Sequence, residues 1–156
     1  MTSPPAADQS QCRSGPLLDH LARRIRMRSE SVLGPLGLRP RHLVTLTVLR
    51  DGGACTQQNL AAVLEMDGTN VVGLLNDLEA QQLIERRRAP HDRRRHVVQL
   101  TEIGEERLAY IETQLAAVEE DVLGKLDIAQ RDALYALLQQ AVSNSTIVCT
   151  ENVEDC

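Results

Sequence analysis

Apolar residues recur along this chain at two spacings, and the switch between them predicts a series of helices with one hairpin set among them. Leu17, Leu18, Leu21, Ile25, Val32 and Leu33 return at helical intervals, with Arg23, Arg24, Arg26 and Arg28 largely between them, until Gly34-Pro35 interrupts the pattern. After Gly37-Leu38-Arg39-Pro40, a second helix carries Leu43, Leu46 and Leu49 and stops at Gly52-Gly53. Thr56 can cap a short third helix with Leu60, Ala61 and Leu64 inward. Asp67 can cap a fourth, whose Val71, Leu74, Leu75 and Leu78 make one apolar stripe. From Leu83-Ile84 the pattern becomes extended, and His96, Val98 and Leu100 alternate with Val97 and Gln99 in a second run. Ala89-Pro90-His91-Asp92 supplies turn residues between the two, which predicts a β-hairpin. Thr101 caps a long helix, with Glu102 where the dipole favours an acid, and Ile128, Leu134, Leu137, Leu138 and Val142 mark a last one.

Two short helices joined tightly, followed by a hairpin, form the outline of a winged helix-turn-helix. The expected fold is therefore mainly α with a small β-hairpin wing. The outward positions of the fourth helix are Thr69, Asn70, Gly73 and Asn76. These side chains are small or carry amides, so a backbone can come close to DNA and hydrogen-bond to base edges or phosphates. Gly73 in mid-helix costs up to ~1 kcal/mol relative to Ala, which suggests that close approach is wanted there.

In the long helix Leu108, Ile111, Leu115, Val118 and Val122 step by three, four, three and four, the seam of a coiled-coil-like pairing. Its own chain or a second copy could cover that seam. A second copy is the expectation, because a two-fold dimer also matches a palindromic operator.

Charge sharpens the picture. The hairpin holds two arginine triplets, Arg86-Arg87-Arg88 and Arg93-Arg94-Arg95, in a chain of formal net charge −5. Residues 1–100 contain fourteen Lys and Arg against ten Asp and Glu, whereas residues 101–156 contain three against twelve. One pole suits phosphate and the other repels it. Phe and Trp are absent and only Tyr110 and Tyr135 are aromatic, which disfavours the base-stacking platforms of single-strand binders and leaves duplex DNA.

The run from Thr56 to Gly104 resembles the MarR family of bacterial transcriptional regulators. The resemblance is carried by Leu60-Ala61, Leu78-Glu79, Leu83-Ile84-Glu85-Arg86, Asp92-x-Arg94 and Val98-x-Leu100-Thr101-x-x-Gly104. It implies a repressor, released from its operator by a small anionic or aromatic effector. In such proteins flanking helices at both ends dimerise, which implicates Leu17, Leu18, Leu21, Leu115, Val118 and Val122 here. It also implies that Asp92 orients Arg94 through a charge-assisted hydrogen bond, that Arg94 enters the minor groove, and that Arg86, Arg88, Arg93 and Arg95 contact phosphates. Thr56, Gln57 and Gly68 complete the set expected to face DNA. An effector pocket in this family lies by the first two helices and the long one, which puts His20, Arg24, Met27, Arg41 and His42 forward. Where such regulators commonly end the recognition helix with glycine, this chain has Gln82, so a differently shaped helix end is expected.

The remaining expectations concern organisation and excluded chemistry. Residues 1–16 read as a flexible arm, 17–142 as one domain with the winged motif over 40–100 and dimerisation helices over 17–34 and 102–142, and 143–156 as an acidic tail. No apolar run approaches the ~20 residues of a membrane span, so a cytoplasmic protein is expected. Cys12, Cys55, Cys149 and Cys156 lack metal or disulfide spacing, the four histidines make no ligand set, and no catalytic constellation or phosphate loop is present. Neither enzyme activity, metal nor cofactor is expected. The alternatives are a redox-responsive regulator of the same fold using Cys12, and an interaction protein that does not bind DNA.

Overall fold

Six α-helices and three short strands follow one another in residues 13–143, the part of the chain that the computed structural model describes. Helix α1 (Ser14–Leu33) runs into a 3-10 turn (Gly34–Leu36), then come α2 (Pro40–Gly52), β1 (Cys55–Thr56), α3 (Gln57–Val63) and α4 (Gly68–Ala80). Strands β2 (Ile84–Arg88) and β3 (His96–Leu100) form the hairpin, followed by α5 (Glu102–Val122) and α6 (Ile128–Val142). The predicted caps are all made. Thr56 Oγ1 accepts from the Asn59 N–H at 3.1 Å, Asp67 Oδ1 from Asn70 at 2.8 Å and Thr101 Oγ1 from Gly104 at 3.0 Å.

The core lies under the helix-turn-helix. Leu46, Leu60, Val71, Leu75, Leu78, Leu83, Val98, Leu108 and Ile111 are fully buried in one cluster, which holds the whole predicted stripe of α4. The sheet runs β1-β3-β2 and is antiparallel, with Arg86 opposite Val98 and Arg88 opposite His96. Strand β1 is an addition to the expected hairpin. Two residues are too few to show alternation, so the pairing of Cys55 with Val98 and Thr56 with Val97 has no signature of its own.

One boundary is corrected, and one expected face finds partners within the chain. Ser14-Gly15-Pro16, expected in the arm, form the first turn of α1, where proline is compatible with helix because the N–H it lacks has no partner there. Residues 1–12 of the arm with Cys12, and all but Ser143 of the tail with Cys149 and Cys156, lie outside the described residues. The apolar seam of α5 is covered in part by its own chain: α1 and α2 lie along α5, Leu108 and Ile111 are fully buried and Val122 is buried, while Leu115 packs on the core half-buried and Val118 is half-buried too. An Arg28–Asp121 ion pair and an Arg50–Glu112 ion pair tie α1 and α2 to α5. Further exposed apolar surface lies on α6, none of whose residues is buried, and at Leu17 and Leu18 of α1.

Candidate nucleic-acid interface

Helix α4 presents the face expected of it. Val71, Leu74, Leu75 and Leu78 hold it to the core while Thr69, Asn70, Gly73 and Asn76 are exposed. A Cβ added to Gly73 would meet nothing within 4 Å, so no neighbouring atom of the protein requires glycine there and the surface is open. Val72 belongs to the same exposed surface and is absent from the predicted set. Its signal was available in the spacing 69, 72, 73, 76, which marks one side of a helix.

The six arginines fall into three environments. Arg86 turns back onto α4: its Nε donates to Glu79 Oε2 at 3.1 Å, and its Nη2 donates to the same oxygen and to Asn76 Oδ1 at 2.7 Å. That hydrogen bond is the main reason the Glu79 carboxyl titrates below its ordinary range. Arg87 pairs with Glu85 on the same strand, and Arg95 lies 3.6 Å from Asp92. Arg88, Arg93 and Arg94 make no ion pair among the described residues, and all three are exposed. Arg86 is thus a strut between wing and α4, and its expected phosphate contact competes with two internal partners.

Asp92 acts on the backbone rather than on the Arg94 guanidinium. Its Oδ1 accepts from the Arg94 N–H at 3.0 Å, and its own carbonyl accepts from the Arg95 N–H at 3.0 Å, while Ala89 N–H donates to the Arg95 carbonyl at 2.9 Å. An aspartate that closes a turn in this way is an Asx turn, and the spacing D-x-R suits it because the bonded N–H is two residues on. The expected side-chain pair is therefore corrected. The effect is that the Arg94 guanidinium has no ion-pair partner among the described residues.

Wing and helices meet at a cleft of about 370 Å³, lined by Thr56, Gln57 and Gln58 of α3's start, Gly68 of α4's start, and Arg94, Arg95 and His96. Four of the predicted DNA-facing residues outside α4's exposed face, namely Thr56, Gln57, Arg94 and Arg95, are thereby brought together with Gly68. Gln58 and His96 join them unannounced. The wing is anchored at its base by Thr101, whose Oγ1 donates to the Gln82 carbonyl at 2.6 Å and whose N–H donates to the Leu83 carbonyl at 3.1 Å.

Gln82 takes the left-handed backbone that glycine would supply, with φ 61°. The Leu83 N–H donates to Leu78 O at 3.0 Å and the Gln82 N–H to Glu79 O at 2.9 Å, which together make a Schellman cap. The expected change of shape is absent: the geometry is kept, and a non-glycine residue bears its steric cost.

The five residues put forward for an effector pocket do not form one group. His42 is 1% exposed, its Nδ1 accepts from the Arg39 N–H at 2.9 Å, and its Nε2 therefore carries the proton directed at Asp77 Oδ2, 3.2 Å away. It caps α2 and ties it to α4, so it has no ring nitrogen left for a ligand. Arg41 lines a groove of about 730 Å³ between α2 and α4, beside Arg39, Asn70, Gly73 and Asp77. His20, Arg24 and Met27 are exposed on α1. Among the described residues no cluster of His, Cys, Asp and Glu could hold a metal ion, and no helix is long and apolar enough to cross a membrane.

The model of one protein family matches residues 36–95, the span from the end of the 3-10 turn to the tip of the wing, and its description is the MarR family. The chain belongs to the MarR family. A candidate transcriptional regulatory protein for the hcr operon of Thauera aromatica is 32% identical over 104 residues, covering 67% of this chain and 63% of that protein. The chain thus spans just under two thirds of that relative. The transcriptional repressor CouR, solved bound to a 23-mer DNA duplex, is 28% identical, covers 90% of this chain and 99% of its own, and superposes with a TM-score of 0.69. BpsR of Bordetella bronchiseptica, whose DNA binding is regulated by 6-hydroxynicotinic acid, is 25% identical with coverages of 90% and 99% and a TM-score of 0.66. These MarR-type frames share the winged helix-turn-helix found here.

Proposed function

We propose that this protein is a homodimeric transcriptional repressor that binds a palindromic operator in duplex DNA and is released by a small anionic or aromatic effector. The observation that carries DNA binding is the convergence on one cleft of the start of α3, the start of α4 and the tip end of the wing, where Arg94 has no ion-pair partner among the described residues. Helix α4 would enter the major groove through Thr69, Asn70, Gly73 and Asn76, while Arg94 enters the flanking minor groove and Arg88, Arg93 and Arg95 meet phosphates. The DNA-bound form of CouR supports the partner, and the regulation of BpsR by an aromatic acid supports the effector class.

A second copy of the chain is supported by α6, where Ile128, Tyr135 and Leu137 are 77%, 67% and 64% exposed, and by Leu17 and Leu18 at the start of α1. So much apolar surface at the two ends of the fold needs a covering.

The test is selection of duplexes from a randomised pool, followed by gel-shift titration at several salt concentrations. Binding should fall steeply with salt, because each neutralised phosphate adds roughly 0.9 to the logarithmic slope. Arg94→Ala should weaken binding severely and leave the circular dichroism spectrum unchanged. A pool that yields no enriched duplex would overturn DNA binding, and unaltered affinity in Arg94→Ala would overturn the wing assignment.

A further inference from the structure

One amide on the exposed face of α4 is held in a single orientation by its neighbour. Arg86 carries only donors, so the Asn76 atom that meets its Nη2 at 2.7 Å is the carbonyl oxygen. That leaves the two N–H groups of Asn76 for a partner outside the protein. One turn earlier Val72 is 39% exposed, an apolar side chain in a surface otherwise made by Thr69, Gly73 and Asn76. Positions four apart are neighbours on a helix, so a donor and a branched apolar group stand side by side. Apart from the flanking residues and the helix's own backbone, no atom lies within 4 Å of where a Gly73 Cβ would be, and the surface beside the pair is open to an approaching groove.

Resting on the reading of α4 as the helix that enters the major groove, we infer that Asn76 and Val72 together select a thymine in each half of the operator. The major-groove edge of thymine offers an acceptor, O4, beside a C5 methyl group. Guanine offers acceptors without a methyl, cytosine offers a donor, and adenine sets a donor next to its acceptor. A donor beside an apolar patch matches thymine alone. An asparagine with both ends of its amide available reads adenine through a bidentate pair, and Arg86 removes that option by turning the oxygen towards the wing. The Asn76 N–H then donates to O4 while Val72 covers the methyl.

The test uses the full chain and a duplex selected from a randomised pool. Each thymine of the enriched site is replaced in turn by deoxyuridine, which lacks only the methyl group, and affinity is measured by fluorescence anisotropy for the wild type and Val72→Ala. One thymine per half-site should lose about fourfold in wild-type affinity, the size expected for one methyl group taken out of water. The same replacement should leave Val72→Ala unaffected. Repeating the selection with Asn76→Asp, which offers acceptors only, should change that thymine to a base with a donor edge, cytosine or adenine. Both variants lie on the exposed surface of α4, and circular dichroism checks that they fold. No enrichment at all would overturn DNA binding and this contact with it. An enriched site that keeps its consensus in Asn76→Asp, or whose thymine methyl groups matter equally with and without Val72, would overturn this contact alone.

Discussion

A Cβ placed on Gly104 would stand 2.0 Å from the carbonyl oxygen of Leu83, so α5 reaches the start of the wing only because this residue has no side chain. The same carbonyl accepts from the Thr101 N–H at 3.1 Å, and the Thr101 side chain caps α5 through the Gly104 N–H. The Leu-Thr-x-x-Gly run is thus a joint that sets the wing against α5. Gly104→Ala forces backbone against backbone, and overpacking of this kind costs about 1–3 kcal/mol. Thermal unfolding followed by circular dichroism should show a Tm several degrees lower. A Tm equal to that of the wild type would show that the joint yields without cost.

Gln82 and Glu65 are the two non-glycine residues with positive φ among the described residues, at 61° and 51°. Each closes a helix in the same manner, Glu65 through bonds from Met66 N–H to Ala61 O at 2.9 Å and from its own N–H to Ala62 O at 3.1 Å. The left-handed region costs an L-residue about 1–2 kcal/mol. Glycine removes that cost but adds about 0.5–1 kcal/mol of unfolded-state entropy. Gln82→Gly should therefore stabilise the protein by up to about 1 kcal/mol, read as a higher midpoint in urea at unchanged slope. A lower midpoint would mean that the glutamine side chain contributes more than its backbone costs.

Much of this was legible in the chain, because caps and stripes are local. Thr56, Asp67 and Thr101 cap as read, and the inward stripe of α4 is buried to its last member. What local pattern does not decide is partner choice. A period of three and four marks an apolar face on α5 without saying how much of it the same chain covers, and α1 and α2 pack along it. His42 likewise reads as a histidine on a helix, and only the fold brings Asp77, thirty-five positions away, to its ring. The arginines were visible as a group, but their division into Arg86, held by Glu79, and the unpaired Arg94 depends on how the strand lies on α4.

Acid should loosen the link between wing and α4. Arg86 holds the Glu79 carboxyl below its ordinary value of 4.5, so the pair adds stability above the unfolded pKa, and that contribution is lost as pH falls through the lower folded value. The Glu79 side chain is 41% exposed, so solvent screening keeps the contribution under about 1 kcal/mol. Urea unfolding at neutral pH and again below pH ~4 should show the two midpoints of Glu79→Gln lying closer together than those of the wild type. Equal pH dependence in both proteins would remove this pair as the source.

The dimer expected of this fold should depend on α6, not on the α5 seam. Tyr135 and Leu138 are seven and ten residues beyond Ile128 and share its stripe, and all three are exposed. Placing two aspartates there, as Tyr135→Asp with Leu138→Asp, puts charge into an interface at little cost to the isolated chain, since neither residue packs in its own core. Light scattering should report a folded particle of half the mass. Leu115→Asp differs in kind, because Leu115 packs against the core of its own chain and a charge there lacks a partner. It should lower Tm by several degrees whatever the oligomeric state. A double variant that keeps the wild-type mass would place the interface away from α6. A Leu115→Asp protein of unchanged Tm but halved mass would return the seam to the role its periodicity first suggested.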